Sequence, residues 1–252
     1  MQYNKDASDI LALFSYQISQ YMIKSLLFRK QAKIDIAENS AMITWGPSLI
    51  IGGEFSDAIG EVLKAKLRNQ KNPCYIYSPE GEWKSYVKNM FVGYLEEKQI
   101  NLYQYNGLIE SEYKNENPYI VQTTKEWFQG NSSNLIKTEI YSYLSVEDFL
   151  ENGFGLALII DGKVCGYCLS EYSIDNECAI SIWVDEKYRG LGYAKMMTKL
   201  FLQHSRHKNW NVFWGCGSDN TASNKLAQAT GFALTSCLKY FEWKNYSIYR
   251  NG

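Results

Sequence analysis

Two short polar dipeptides, Asp161-Gly162 and Asp175-Asn176, interrupt three apolar runs between Phe154 and Val184. Asp-Gly flanked by alternating apolar residues is among the strongest local signals for a two-residue hairpin, because both residues tolerate positive φ. "FGLALII" and "KVCGYCLSEYSI" are therefore expected to pair antiparallel, with Asp175-Asn176 turning the second strand into "ECAISIWV". Such a meander commits this half of the chain to a largely antiparallel sheet.

If the second turn closes with two residues, Ile174 faces Glu177, Tyr172 faces Ala179, Ser170 faces Ser181 and Cys168 faces Trp183. That register groups Glu177, Ser181, Ser170 and Tyr172 on one face. Leu169, Glu171, Ile180, Ile182 and Val184 take the other.

The third run leads through "DEKYRGLGYA" into "KMMTKLFLQHSRHK". There Ala194, Met197, Leu200, Phe201 and His204 trace one helical face, and Lys195, Lys199, Gln203 and Arg206 the other. Gly190 and Gly192 thus sit at a strand-to-helix junction. The first N–H groups of a helix lack intrahelical partners and share the positive end of its dipole, so such a junction favours an anion. The glycines permit close approach to the backbone, and Arg189 adds a fixed charge. A tight connection with no ligand would use the same glycines. His204 is expected to pack on the apolar face, with His207 near the helix C-terminus.

Upstream, "SVEDFLENG" reads as a short helix capped by Ser145. Downstream, "NVFWGCG" reads as a strand, "SDNTASNKLAQATGF" as a helix ending at Gly231, and "ALTSCLKYFEWK" as a final strand.

The first half alternates α and β elements. Helical spacing runs from Ser8 to about Phe28, and "AMITW" and "SLIIGGE" read as strands. "SDAIGEVLKAKLRNQ" reads as a helix capped by Ser56, followed by strand "CYIY", helix "GEWKSYVKNMFVGYLEEKQ" and strand "INLYQY". Gly52, Gly53 and Gly60 lie between a strand and a helix, but not at GxGxxG spacing. The polar stretch Glu110 to Ser133 is expected to hold a domain boundary. This gives an N-terminal α/β domain at 1–118 and a second domain at 119–252. The fold class is α/β (α+β), with a mixed, largely antiparallel C-terminal sheet flanked by helices.

A net charge of −1 over 252 residues supplies no overall basic field for nucleic acid. No apolar run reaches the roughly 18 to 20 residues of a membrane span, and the N-terminus lacks a signal-like pattern, so a soluble cytoplasmic protein is expected. The six cysteines fall in strand-like runs and read as buried thiols. Cys165 and Cys168 have the CxxC spacing, but on an extended strand an offset of three sends the thiols to opposite faces, and no metal site is expected.

The two glycine-bearing segments together resemble the GNAT superfamily of acyl-CoA-dependent N-acetyltransferases. Its cofactor turn has Arg or Gln, two residues, Gly, one residue, then Gly or Ala, and Arg189, Gly192 and Ala194 fill those places. Its later motif is matched by Asn220, Ser223, Gly231 and Phe232. The resemblance covers roughly Leu135 to Trp243. "EDFLENGFG" and "NTASNKLAQATGF" are most similar to the branch that includes the zwittermicin A resistance acetyltransferase, in which an N-terminal α/β domain precedes the catalytic one.

The resemblance implies acetyl-CoA as cofactor and a primary amine on a small molecule as acceptor, an antibiotic or related metabolite being one candidate. The strand before the turn is expected to splay from its neighbour at a bulge, leaving Ile182, Trp183 and Val184 to meet the pantetheine arm. The pyrophosphate is expected on the N–H groups of Arg189, Gly190, Leu191, Gly192, Tyr193 and Ala194, with Asn220 and Ser223 near the pantetheine. Val184 N–H is the expected oxyanion donor, and Glu177 and Glu171 are the candidate bases. The tyrosine that many members place seven residues after the motif Asn is here Ala227. This leaves Tyr172, Tyr188 and Tyr240 as candidate acids. The N-terminal domain is expected to shape the acceptor site or a homodimer interface. An acyl-CoA-binding module without turnover remains an alternative. Dinucleotide binding is disfavoured, since the turn departs from GxGxxG and no strand-end acid follows about 20 residues on.

Overall fold

The computed structural model describes residues 6–14, 20–70, 72–107, 117–130 and 134–243. The chain divides into two compact units, one of residues 1–100 and 237–252 and the other of residues 101–236.

The first unit begins with helices α1 (Ala7–Ala12) and α2 (Gln20–Phe28). The single helix expected from Ser8 to Phe28 is thus represented by two, and residues 15–19 lie outside the described residues. Strands β1 (Lys33–Ala37), β2 (Ser40–Trp45) and β3 (Ser48–Gly53) form an antiparallel meander. Helix α3 (Asp57–Arg68) carries β3 over to the parallel strand β4 (Cys74–Tyr77). Ser56 takes the N-cap position of α3 but makes no side-chain cap hydrogen bond. Helix α4 (Glu82–Met90) ends earlier than expected, and strand β5 (Leu95–Tyr105) begins within the stretch assigned to it. Leu63, Ile76, Trp83, Val87, Phe241 and Trp243 pack in this unit's core.

The second unit adds β6 (Ile120–Gln122) and helices α5 (Lys125–Gly130), α6 (Asn134–Glu139) and α7 (Val146–Asn152). The sheet continues with β7 (Gly155–Ile160), β8 (Lys163–Ile174) and β9 (Glu177–Val184). After these come a 3-10 turn at Glu186–Tyr188, α8 (Tyr193–His207), β10 (Asn211–Gly217), α9 (Thr221–Ala229) and β11 (Phe232–Trp243). The polar stretch read as a linker therefore holds β6 and α5, while its residues 110–116 and 131–133 lie outside the described residues. Within this unit the strand order is β5-β10-β9-β8-β7-β6, with β6 through β9 antiparallel and β9–β10 parallel. The fold is mixed α/β, with a mostly antiparallel sheet flanked by helices.

The units divide at Ile100 and Ser236, not at the expected 118/119 boundary. The reason is that β5 and β11 each contribute residues to both, and the end of β11 returns to pair with β4 through Phe241–Ile76 and Trp243–Cys74.

Both hairpin turns form as expected. Asp161 and Gly162 lie at φ 51° and 72°, and Asp175 and Asn176 at 47° and 62°, the positive values that a type I′ turn requires. Ser145 caps α7 by accepting from Asp148 N–H at 3.2 Å. All six cysteines are free. Cys165 and Cys168 do not face opposite ways, because a register shift lets Leu158 meet Gly166 and Ile159 meet Val164. The bulge at Cys165 returns it to the same core cluster as Cys168. Among the described residues no group of His, Cys, Asp or Glu is placed to hold a metal, and no helix is long and apolar enough to cross a membrane.

Candidate active site

Strand β9 has a partner along its whole length on one side only. The β9–β10 ladder runs Asn211–Glu177, Val212–Cys178 and Phe213–Ala179 and stops, whereas β9 continues to Val184 opposite β8. The two parallel strands therefore separate after Ala179. Asn211 N–H donates to Asn176 C=O at 2.7 Å, which fixes the even-numbered residues as those whose backbone faces β10. By that alternation Ile182 and Val184 turn backbone groups to the open edge, while Trp183 pairs with Tyr167 of β8. Of the three residues expected to offer backbone there, two do so by position and Trp183 contributes its side chain.

The separation opens a cleft of about 530 Å³. Ile182, Trp183 and Val184 line it, with Tyr188, Arg189, Gly190, Gly192, Tyr193, Ala194 and Lys195 from the turn and α8. Asn220, Ala222, Ser223 and Leu226 close it from α9. All the residues expected at the cofactor are thus brought together except Leu191, which is exposed and absent from the lining.

The turn's glycines are required by conformation. Gly190 and Gly192 lie at φ 80° and 86°, where L side chains are strained, and a Cβ at either would meet nothing within 4 Å. Gly192 is the N-cap of the 15-residue α8, whose first turn contains no acidic residue. An open, backbone-lined helix N-terminus of this kind fits a pyrophosphate. Arg189 folds back on the strand, donating from Nε to Val184 C=O at 3.0 Å and meeting Glu186 at 3.4 Å. Its charge is therefore held at the junction.

Asn220 caps α9 by accepting from Ser223 N–H at 3.1 Å, and Ser223 Oγ accepts from Trp214 Nε1 at 3.0 Å. Asn224 fastens the same end. Its Oδ1 accepts from Asn101 Nδ2 at 2.8 Å and from Tyr103 OH at 2.6 Å, while Nδ2 donates to Gly217 C=O and Asn220 C=O. Ala227 is fully buried in the core.

The expected β8–β9 register holds only at Ile174–Glu177. Beyond it Glu171 meets Ala179, Ser170 meets Ile180, Leu169 meets Ser181 and Tyr167 meets Trp183. Tyr172 and Ser173 form a bulge in β8, with Tyr172 at φ 54°. The bulge accompanying the splay is thus in the neighbouring strand rather than in β9. It is fastened from the segment after α6: Ser142 Oγ accepts from Tyr172 N–H at 3.2 Å, and Tyr143 OH meets Ser170 Oγ at 2.6 Å and Ser173 Oγ at 2.7 Å.

The extra residue moves Glu171 onto the face of Ser181 and takes Ser170 off it. Glu171 is half-buried, and Tyr141 OH donates to its Oε1 at 3.1 Å. Burial pushes its carboxyl up to about 7, and the Glu139 carboxylate adds to the rise, against hydrogen bonds from Tyr141 and Ser181. Tyr172 also reaches Tyr141 through its side chain. Glu171 and Tyr172 are therefore brought together. Glu177 is not with them: it lies across the bulge, opposite Ile174 beside the Asp175-Asn176 turn, whereas Glu171 sits opposite Ala179, roughly 13 Å along the strand from Trp183. Of the other tyrosines, Tyr188 lines the cleft, whereas Tyr240 belongs to the first unit and stacks on Tyr77. Glu139, Tyr141 and Tyr167 are absent from the sequence-based set. The aromatic-rich run "TEIYSYL" was the available signal for the first two.

A family model described as GNAT acetyltransferase matches residues 12–241. The chain belongs to the GNAT acetyltransferase family. A Bacillus subtilis (strain 168) protein described as an uncharacterized N-acetyltransferase, YdfB, is 30% identical over 108 residues, 43% of this chain and 38% of the relative, so the match spans well under half of that relative. Among solved structures, the GCN5-related N-acetyltransferase-like protein from Streptococcus suis 89/1591 superposes with a TM-score of 0.70 at 16% identity, covering 94% of this chain and 98% of the other. An acetyltransferase from the GNAT family of Colwellia psychrerythraea gives 0.55 at 14% identity, with 95% and 98% covered. At these identities the structural likeness speaks for this GNAT fold alone.

Proposed function

We propose that this chain transfers an acetyl group from acetyl-CoA to a primary amine of a small molecule, and that Glu171 is the general base. The observation that carries the reading is the unpaired edge of β9 running into the Gly190–Gly192 turn, within one cleft. When bound, acetyl-CoA supplies the thioester carbonyl at which the amine reacts.

In this reading the N–H groups of the turn and of α8 hold the pyrophosphate, and Ile182 aligns the pantetheine arm along β9. Val184 N–H faces the open edge and stabilises the charge that develops on the carbonyl oxygen. Glu171, with its carboxyl raised to about 7, takes the ammonium proton near neutral pH through intervening water, since its place opposite Ala179 is roughly 17 Å along β9 from Val184. Bound acetyl-CoA would supply the C–S bond that breaks as the C–N bond forms, and a thiol with a pKa of about 8.5 would leave tolerably as thiolate. Tyr172 and Tyr188 remain the candidate donors to that thiolate. Six free thiols suit a reducing cytoplasm. Placement in the two-domain branch typified by zwittermicin A resistance, with an antibiotic-like acceptor, is the finer part of the proposal. So is a role for the first unit in acceptor choice or dimerisation.

A silent acyl-CoA-binding module is the second reading, favoured by the buried methyl of Ala227 where many relatives carry a hydroxyl. Calorimetry with acetyl-CoA, CoA and NAD, followed by thiol release against a panel of primary amines, separates the two. Acetyl-CoA binding with amine-dependent thiol release is expected. Binding without release for any amine supports the silent module, and NAD binding alone overturns both.

A further inference from the structure

A cavity of about 550 Å³, within the size range of small-molecule sites, is formed entirely by residues of the first unit. Lys33 pairs with Thr44 and Thr44 with Leu49, so these three share a face of the sheet, and alternation adds Asp35 to it. That face is the one α3 covers, since Leu49 packs in one core with Leu63 and Leu67. The strand "KIDIA" therefore turns a lysine and an aspartate toward a helix, where apolar side chains cost less to bury.

The charges gather at the cavity. Lys66 of α3 donates from Nζ to Thr44 Oγ1 at 2.6 Å and meets Asp35 Oδ2 at 3.4 Å, while Lys33 Nζ meets Asp35 Oδ1 at 3.4 Å. Two cations thus share one carboxylate, and the described residues lining the cavity carry one net positive charge. Cys74 adds no negative charge, because burial pushes its thiol up to about 12. The carbonyls at the end of α3 that would attract a cation are already used: Ala65 C=O accepts from Asn69 Nδ2, Lys66 C=O from Asn69 N–H and Leu67 C=O from Gln70 N–H. Donors remain. Each ammonium group has three protons; Lys66 directs one to Thr44 and one toward Asp35, and Lys33 at most one to Asp35. Beside them Leu49, Val62 and Ala65 line the cavity with carbon.

We propose that this cavity binds an organic carboxylate with an apolar body, the carboxylate held by Lys33 and Lys66 and the body lying on Leu49, Val62 and Ala65. One net positive charge matches a monoanion rather than a phosphate dianion, and the apolar wall offers a phosphate no donors. Asp35 draws the two ammonium groups together and offsets half of their charge. The lining shares no residue with the β9 cleft, so the site is separate from acetyl transfer.

The probe is 1-naphthylacetate, with the neutral 1-naphthylacetamide as its control, added to the full chain carrying 13C-methyl-labelled Leu, Val and Ala. Saturable NMR shifts of the Leu49, Val62 and Ala65 methyls are expected, with a Kd of about 1 mM or tighter and about tenfold weaker binding of the amide. Lys33→Met and Lys66→Met should each weaken the carboxylate about two- to fivefold. Asp35→Asn leaves Thr44 to hold Lys66 and should tighten binding about two- to fivefold, a gain that misfolding cannot mimic. Ala65→Trp, at an exposed helix position, fills the cavity and should abolish the Leu49 and Val62 shifts with little change in melting temperature. Equal binding of acid and amide, shifts confined to other methyls, no saturation by about 10 mM, or no tightening in Asp35→Asn overturns the site.

Discussion

The ring of Trp183 stacks on that of Tyr167, with centroids 5.8 Å apart and planes at 29°, while Trp183 also lines the cleft. The pair is a cross-strand neighbour in the β8–β9 ladder, so the backbone sets its spacing. One residue thus touches both the cleft and Tyr167, whose hydroxyl donates to Glu139.

Trp183 is the single tryptophan among the described residues lining the cleft. A ligand reaching the open edge of β9 should change its fluorescence. In Trp183→Phe the acetyl-CoA-dependent change in emission should drop by more than half, with binding still seen by calorimetry. A full-sized change in the variant would place the ligand elsewhere.

At Gly192 the strain and the charge are separable. Gly192→Ala fits sterically, since nothing lies within 4 Å, but it forces a side chain to φ 86° and should cost about 1 kcal/mol of stability. Gly192→Asp should melt at a similar temperature, yet bind acetyl-CoA at least tenfold more weakly, roughly 1.4 kcal/mol. Equal affinity in a folded Asp variant would remove the pyrophosphate from this turn.

Asn224 uses both lone-pair directions and both amide protons. Asn224→Ala deprives Tyr103 OH of this acceptor and frees the Gly217–Asn220 turn from α9. A loss of about 2–4 kcal/mol in chemical denaturation is expected, together with weaker acetyl-CoA binding. Wild-type affinity in the folded variant would show that the α9 end contributes little to the cofactor.

His204 stacks on Phe154 at a centroid distance of 3.6 Å, and its Nε2 is buried without a hydrogen-bond partner. Burial, with Lys208 and His207 nearby, lowers its pKa from 6.5 to about 4. The unfolded chain therefore takes up the proton first as pH falls. Stability should be level above about pH 7.5 and decline as pH drops from 6.5 toward 4. His204→Phe should flatten that decline in melting curves recorded from pH 8 to 4; identical slopes in both proteins would count against the assignment.

Much of this site was legible where chemistry is local. Asp161-Gly162 and Asp175-Asn176 announce their turns because few residues accept positive φ, and the paired motifs at Arg189–Ala194 and Asn220–Phe232 mark the cleft. Alternation failed at Tyr172 and Ser173, since a bulge adds a residue without altering the apolar pattern. It is held from outside by Ser142 and Tyr143, thirty residues away in sequence. Glu139 was missed for the same reason. It ends a short helix just beyond the polar stretch, and its importance arises only when Tyr167, 28 residues on, is folded against it.

The return of β11 to β4 has a consequence for biosynthesis. Residues 101–236 are contiguous, so that unit can close as soon as they leave the ribosome, whereas the first unit waits for Phe241 and Trp243 to cover β4. During translation the strand edge at Cys74–Tyr77 stays open while about 160 further residues are made, roughly 8 to 30 s at typical elongation rates. The part synthesised first is the part completed last.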